Sequence, residues 1–582
     1  MMEHSQGHIC QCLPRLLALR RDSPVTIAGE RRKTGPRFVE DVLALACGLS
    51  ELGVRPGDVV AIAALNSDWY IEWLLAITFV GGIAAPLNYR WSFGEARFAI
   101  ELVSPVMLVV DESCISWALE LQDAGSITSI RMYVLIGDAD HPKLGNNGSV
   151  LKMNYIRRSW QGPPTRDPLL APNGVAIICF TSGTTGKPKG VAIGHTALIV
   201  QSLAKLAIID YSEEDVYLHT APLCHIGGIS SCIAMLMAGG CHIVLPKFGA
   251  ESSIQAIEQH HVTSLITVPA MMADLISYIS GKSISWKGGK SVSKILNGGG
   301  GLSFELTSIA THIFPQAKIV SAYGMTETCS SLTFIVLADL IHNKSGVLLS
   351  DNYEVKSEYP YQQSKGVCVG KPAPHVEIQI YSGDQASNCS PFIGKILTRG
   401  LHVMVGYWKQ TSGNLPHSKE NGWLDTGDIG WLDENGNLWL IGRGKGLIKS
   451  GGENVYPEEV ESVLARHPGV SNVVVVGIPD SRLSEKVVAC ITIREGWQWV
   501  DGMSRHLPGQ KELSNKLLQN FCRQMNLTGF KIPKNILLWK KPFPLTTTGK
   551  LKRDDVRQEV ISYMQIMPCK LYSVLINHKP RS

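Results

Sequence analysis

At 582 residues, 45% of them hydrophobic and 18% charged, the chain is too long for one ordinary core and has the balance of a globular protein of two or more domains. A formal net charge of +5 is small at this length and no basic tract stands out, which argues against nucleic acid as a partner. The longest apolar candidate, residues 71–87, carries Gly81, Gly82 and Pro86 and is too short to favour a bilayer span, so no transmembrane segment is expected.

Taken in chain order, Leu13-Pro-Arg-Leu-Leu-Ala-Leu-Arg-Arg21 is too charged and short for a secretory core. It reads either as a short basic targeting helix or as the first helix of the fold, and the strand pattern of residues 26–30 after it favours the second. Residues 59–64, 106–110, 175–180, 241–245, 264–268 and 318–321 read as apolar strands, and 252–260 and 270–279 as helices. This alternation is the pattern of βα units around parallel sheets. Residues 340–363 are polar and weakly periodic and read as a surface insertion. The 14 cysteines are scattered without paired metal spacings, Cys10-Gln-Cys12 being the only close pair; reduced thiols in an intracellular compartment are the simplest account. A boundary falls at Gly442-Arg-Gly-Lys-Gly446. The expected organisation is a body over residues 1–442, a small α+β cap over 443–566 and a poorly ordered tail over 567–582. Within the cap, 457–467 and 513–525 read as helices and 470–477 and 487–493 as strands. Cys569-Lys-Leu571 is similar to a peroxisomal tripeptide, but such signals are read only at the extreme C-terminus and eleven residues follow it here.

One stretch carries more chemistry than any other. Thr181, Ser182, Gly183, Thr184, Thr185, Gly186, Lys187, Pro188, Lys189 and Gly190 directly follow the strand at 175–180. Backbone N–H groups and hydroxyls on such a loop can close around phosphate oxygens while lysines neutralise charge. A mobile Gly/Ser/Thr loop is the bland alternative, and the preceding strand and the lysines weigh against it. It is not a Walker A loop, because Lys187 is followed by proline. The motif resembles the phosphate-binding signature of the acyl-adenylate-forming superfamily, which includes acyl-CoA ligases, luciferases and peptide-synthetase adenylation domains.

Further segments match that superfamily in order. Tyr323-Gly-Met-Thr-Glu327 follows a strand: Gly324 permits a tight turn, a threonine hydroxyl can meet a phosphate and a carboxylate can hold Mg²⁺. Alone it would be an ordinary strand-end turn. The resemblance implies that Tyr323 packs on adenine, that Gly324 and Met325 lie beside the nucleotide, that Thr326 contacts its phosphate and that Glu327 ligates Mg²⁺. Gly298, Gly299 and Gly300, within Asn297-Gly-Gly-Gly-Gly301, resemble the segment beside adenine and the acyl group, where glycine allows close approach to a flat ring; a plain flexible turn is the other reading. In Trp423-Leu-Asp-Thr-Gly-Asp428, Asp428 would accept from both ribose hydroxyls, with Arg443 reading ribose and phosphate, although the two could instead form a structural ion pair. Lys445 sits at the family's hinge. Gly451, Gly452 and Glu453 match a loop that guides the thiol of coenzyme A, and the Pro457 that follows is also an ordinary helix start. Lys550, ending Phe543-Pro-Leu-Thr-Thr-Thr-Gly-Lys550, matches the catalytic lysine. His225, in Pro222-Leu-Cys-His-Ile-Gly-Gly228, resembles the histidine lining the acyl channel, or is a satisfied core histidine.

The resemblance implies an α/β fold: a large N-terminal body of layered α/β sheets with a distorted β-barrel, and a small mobile α+β C-terminal cap. It implies ATP and Mg²⁺ as cofactors, coenzyme A as co-substrate and a small-molecule carboxylic acid as partner. Stretches such as Ala85-Pro-Leu-Asn-Tyr-Arg-Trp91 and Leu527-Thr-Gly-Phe-Lys-Ile-Pro-Lys534 resemble the plant branch that activates 2-succinylbenzoate for phylloquinone synthesis, which implies that acid and a chloroplast location, with the peroxisome or cytosol as alternatives. A hydroxycinnamate or fatty acid as substrate, or an inactive nucleotide-binding relative, stays open. Phe530 and Lys395 depart from the family's usual tyrosine and glutamate. Oligomeric state is not legible.

Overall fold

In the computed structural model of the chain, the residues described are 7–125, 127–137, 150–157, 167–181, 188–281, 286, 288–302, 304–339, 367–381, 392–409, 418–419, 422–443, 446–500, 511–544 and 551–575. They group into two compact units, one drawn from the chain up to Gly444 and the other from Lys445 onward.

The first unit is built on two sheets. In the eight-stranded sheet, Ile83–Pro86, Val59–Ala63, Met107–Val110, Met132–Leu135 and Val150–Lys152 run parallel. The near-continuous apolar sequences of the first four follow from burial on both faces, while Val150–Lys152 is the half-exposed edge. Val175–Thr181 joins this parallel set and then pairs antiparallel with Lys189–Gly194, Thr181 standing opposite Lys189. The phosphate motif therefore begins at the end of one strand and ends in an antiparallel partner strand, where a Walker A loop would lead into a helix.

The second sheet, of fourteen strands, has a parallel half made of Pro24–Ala28, Cys241–Val244, Val216–His219, Ser264–Thr267, Lys294–Asn297 and Lys318–Tyr323. From Thr333–Ala338 onward it continues as antiparallel strands, including Val367–Pro372, Trp423–Leu432 and Leu438–Arg443. Helices Ala250–His260 and Pro269–Gly281 agree with the periodicity read from sequence. The segment read as targeting helix or first helix is Cys12–Leu19, with Leu13 and Leu16 buried in the main core. The 340–363 insertion lies outside the described residues.

The second unit carries a five-stranded sheet in which Val470–Asp480 pairs antiparallel with Ser484–Ile493, flanked by helices Pro457–Leu464 and Asn515–Gln524. Buried Lys531 holds Glu459 at 2.7 Å, pinning the first of these helices. A last helix spans Arg553–Leu575, running past residue 566, where the sequence reading ended the cap.

Candidate adenylation centre

Three of the candidate segments in the first unit leave the same ends of parallel strands in one sheet: residues 220–228 after Val216–His219, 298–301 after Lys294–Asn297, and 324–330 after Lys318–Tyr323. The C-terminal edge of a parallel sheet is where α/β folds present ligand-binding loops.

Tyr323 is the last residue of its strand and is buried. Its hydroxyl donates to Asp428 Oδ2 at 2.6 Å, joining two motifs 105 residues apart. Asp428 is itself buried, its N–H donates to Thr426 Oγ1 at 3.2 Å, and across the sheet its register partner is Arg443. The phenol of Tyr323 thus orients the carboxylate.

After Tyr323 the backbone turns back on itself so closely that a Cβ on Gly324 would lie 1.7 Å from the Ser330 carbonyl oxygen; only glycine fits. Thr326–Thr328 forms a 3₁₀ turn, closed by Thr328 Oγ1 donating to the Met325 carbonyl at 3.0 Å. The turn leaves Thr326 half-exposed and buries Glu327. Tyr407 donates its hydroxyl to Glu327 Oε1 at 2.9 Å, and Lys189 Nζ stands 5.2 Å from the centre of the Tyr407 ring. The end of the phosphate motif and the acidic end of the Tyr323–Glu327 motif therefore meet through Tyr407. A carboxylate oxygen is a hard ligand of the kind Mg²⁺ takes, an ion that uses one or two protein carboxylates and completes its shell with phosphate and water. Among the described residues the one cluster of three potential metal ligands is elsewhere, His219, Cys232 and His242, buried in the core.

Asn297 donates to the Gly300 carbonyl at 2.7 Å and to Ser321 Oγ at 3.2 Å, fixing the glycine segment to the neighbouring strand. Gly299 has φ +69°, and nothing within 4 Å would meet a Cβ on Gly298, so the space above this segment is open. His225 is the N-cap of helix Ile226–Ala238 and is half-buried. A Cβ on Gly228 would meet the Pro222 carbonyl at 2.2 Å, which accounts for that glycine. Arg90 Nη2 lies 3.0 Å from His225 Nε2, giving the histidine a partner the sequence reading did not supply.

In the second unit, Gly451 (φ +61°) and Gly452 (φ +85°) are the two central residues of a hairpin between Ile448–Ser450 and Glu453–Val455. Two positive φ values match a type I′ turn, so both glycines have a local reason. Glu453 is buried. Lys395 pairs with Asp425 of the Asp428 motif at 3.1 Å.

Ser182, Gly183, Thr184, Thr185, Gly186, Lys187, Lys445 and Lys550 lie outside the described residues, and Arg443 is placed by its backbone alone. The sequence reading missed Tyr407 and Arg90. The only local signal for Tyr407 is its place in Gly406-Tyr-Trp408, and Arg90 lay unremarked within a stretch used for family resemblance.

Comparison with known proteins identifies the family. The model of the AMP-binding enzyme family matches residues 15–408, and that of the AMP-binding enzyme C-terminal domain matches 459–550. The Arabidopsis thaliana protein named 2-succinylbenzoate–CoA ligase, chloroplastic/peroxisomal, is 51% identical, over 98% of this chain and 100% of its own length. An indoleacetate–CoA ligase from Aromatoleum aromaticum is 31% identical over 91% of this chain and 96% of its own. Among solved structures, the o-succinylbenzoate CoA synthetase of Bacillus subtilis in complex with its acyl-adenylate intermediate superposes with TM-score 0.60 and 25% identity, covering 94% of this chain and 97% of that one. With both family models matched in chain order on either side of the Asp428 motif, this chain belongs to the AMP-binding enzyme family.

Proposed function

We propose that the chain ligates 2-succinylbenzoate to coenzyme A in two steps. The succinyl carboxylate first attacks the α-phosphorus of ATP, the bond to the β-phosphate breaks and diphosphate leaves. The sulfur of coenzyme A then attacks the acyl carbon and AMP departs, giving 2-succinylbenzoyl-CoA. The likeness to the Arabidopsis relative along its whole length carries the choice of acid.

Each side chain has a defined task in this reading. Asp428, oriented by Tyr323, accepts from the ribose hydroxyls, and Arg443 supports ribose and phosphate. Gly298, Gly299 and Gly300 admit adenine and acyl group at close range. The phosphate motif, Thr181 to Lys189, closes on the phosphates, and Thr326 adds a hydroxyl. Glu327, held by Tyr407, is the ligand for Mg²⁺, which when bound neutralises phosphate charge. Lys550 stabilises the charge shared between carboxylate and α-phosphate in the first step. Rotation about Lys445 then exchanges Lys550 for the Gly451–Gly452 hairpin, which guides the thiol. No general base is needed for the first step, because a carboxylate is already ionised at neutral pH. The reaction serves phylloquinone synthesis, and we assign the chain to the plastid; the name of the Arabidopsis relative supports plastid or peroxisome.

The test is AMP release by the purified chain, dependent on ATP and coenzyme A, with 2-succinylbenzoate beside 4-coumarate and a medium-chain fatty acid. We expect a preference of 100-fold or more in kcat/KM for 2-succinylbenzoate, about 2.7 kcal/mol of transition-state discrimination. Turnover of another acid alone would keep the chemistry and discard the pathway, and silence with all three would leave a nucleotide-binding relative without activity.

A further inference from the structure

Arg90 has no role in the reaction as described, yet its surroundings hold it in place. It lies in the loop between strand Ile83–Pro86 and helix Phe93–Val103. Buried Asn88 accepts from the Arg90 N–H at 3.0 Å and from its Nε at 3.4 Å, aiming the guanidinium. On the other side, Ser92 and Glu95 form a capping box that fixes the start of the following helix. Trp91 packs edge-on against Phe180 at 5.5 Å, and Phe180 immediately precedes Thr181, the first residue of the phosphate motif.

The second member of the pair is equally braced. Buried Asn66 accepts from the Leu223 N–H at 2.7 Å and donates to the Ala221 carbonyl at 3.1 Å, latching the segment that presents His225. Arg90 Nη2 and His225 Nε2 then stand 3.0 Å apart, with His225 at the start of a 13-residue helix whose first turn has no side-chain cap. A guanidinium is always charged and presents a planar fork that fits phosphate oxygens bidentately. His225 Nε2, accepting from Nη2, holds the fork in place, and the helix start favours negative charge.

Within an adenylating centre two anions could use such a pair: the β,γ-diphosphate of ATP, or the far carboxylate of the acid. The diphosphate is favoured by its higher charge and by the Trp91–Phe180 contact, which ties the Arg90 loop to the strand entering the phosphate motif. We propose that Arg90 and His225 form a subsite for the diphosphate portion of ATP, meeting the negative charge that grows on it as the bond between the α-phosphorus and the bridging oxygen breaks. The electron pair of that bond leaves on the diphosphate, and the guanidinium stabilises it there. This rests on the reading of the chain as an adenylate-forming ligase.

The experiment is equilibrium binding to the full-length chain with Mg²⁺, comparing α,β-methylene-ATP with AMP, which shares everything except the diphosphate. Arg90→Gln is expected to weaken the ATP analogue ten-fold or more while AMP affinity changes by less than two-fold, which also shows that the variant is folded. Arg90→Lys should fall between, because a point charge lacks the fork. Equal loss for both nucleotides, or loss for neither, would overturn the subsite. So would unchanged analogue affinity with a raised KM for the acid, which would give the pair to the carboxylate instead. The binding measurement involves no acid, so it can fail while the choice of 2-succinylbenzoate stands, and the reverse.

Discussion

Lys550→Ala is expected to slow acyl-adenylate formation by about 10²–10³-fold, the order lost when one preorganised electrostatic donor is removed from a transition state. The same variant should convert a supplied acyl-adenylate and coenzyme A to thioester within a few-fold of the parent rate. This asymmetry follows from the chemistry of the two steps. The first brings a carboxylate against an anionic phosphate, and an ammonium bridging both oxygens lowers that repulsion. In the second, a sulfur nucleophile attacks an acyl carbon that AMP is ready to leave, and the proposed hinge at Lys445 has withdrawn the lysine by then. Single-turnover measurement of each half-reaction separates the two, and an equal loss in both would remove Lys550 from its assigned role.

The second large effect is on stability. In the first unit Lys33 is nearly buried and lies within 3.1 Å of Asp41 Oδ2 and 3.2 Å of Asp68 Oδ2, and it also pairs with Glu72 Oε1. Arg31, Arg37 and Arg157 approach the same carboxylates from outside. Burial alone would raise the Asp68 carboxyl, but the Arg31 hydrogen bond and the Lys33 charge outweigh it and hold it below the ordinary carboxylate range. At Glu72 burial wins over the attraction of Lys33 and Arg157, and its carboxyl is pushed up to about 7. Lys33→Met keeps the stem and removes the shared cation, leaving buried carboxylates short of one countercharge. The expected cost is about 3–5 kcal/mol, the scale for breaking a buried ion network at one member. Glu72 can limit that cost by taking up a proton. A carboxyl whose folded-state pKa is raised contributes stability at low pH that is lost as pH rises through the folded value. The deficit of Lys33→Met, read from denaturant unfolding, should therefore be larger at pH 8 than at pH 6. A loss below 1 kcal/mol at both would show the arginines to be sufficient.

What could be read from sequence divides along a physical line. The parallel strands were legible because burial on both faces writes runs such as Val59-Val-Ala-Ile-Ala63, and the motifs were legible because each is a contiguous string whose residue types serve one task. The chain's return as an antiparallel hairpin after the phosphate motif was not, since residues 189–194 form a short run with no turn type announced before it. Contacts between motifs were not legible. That Tyr323 holds Asp428, or that Tyr407 holds Glu327 across 80 residues, depends on sheet register, which no local pattern states. Arg90 was hidden for a related reason. A lone arginine in a loop is ordinarily solvated, and only the fold brings it to His225. The glycines at 451 and 452 lent themselves to a functional reading first, and the hairpin supplies a structural reason for both.

The most direct test of the central claim follows one oxygen atom. 2-Succinylbenzoate labelled with ¹⁸O in its succinyl carboxylate is turned over by the purified chain with ATP and coenzyme A, and the AMP is analysed by mass spectrometry. Attack by that carboxylate on the α-phosphorus, followed by release of AMP from the acyl carbon, places one ¹⁸O in each AMP. Acid labelled only in the ring carboxylate should give none. AMP free of label from the succinyl-labelled acid, or label from the ring carboxylate, would contradict an acyl-adenylate formed at the succinyl group.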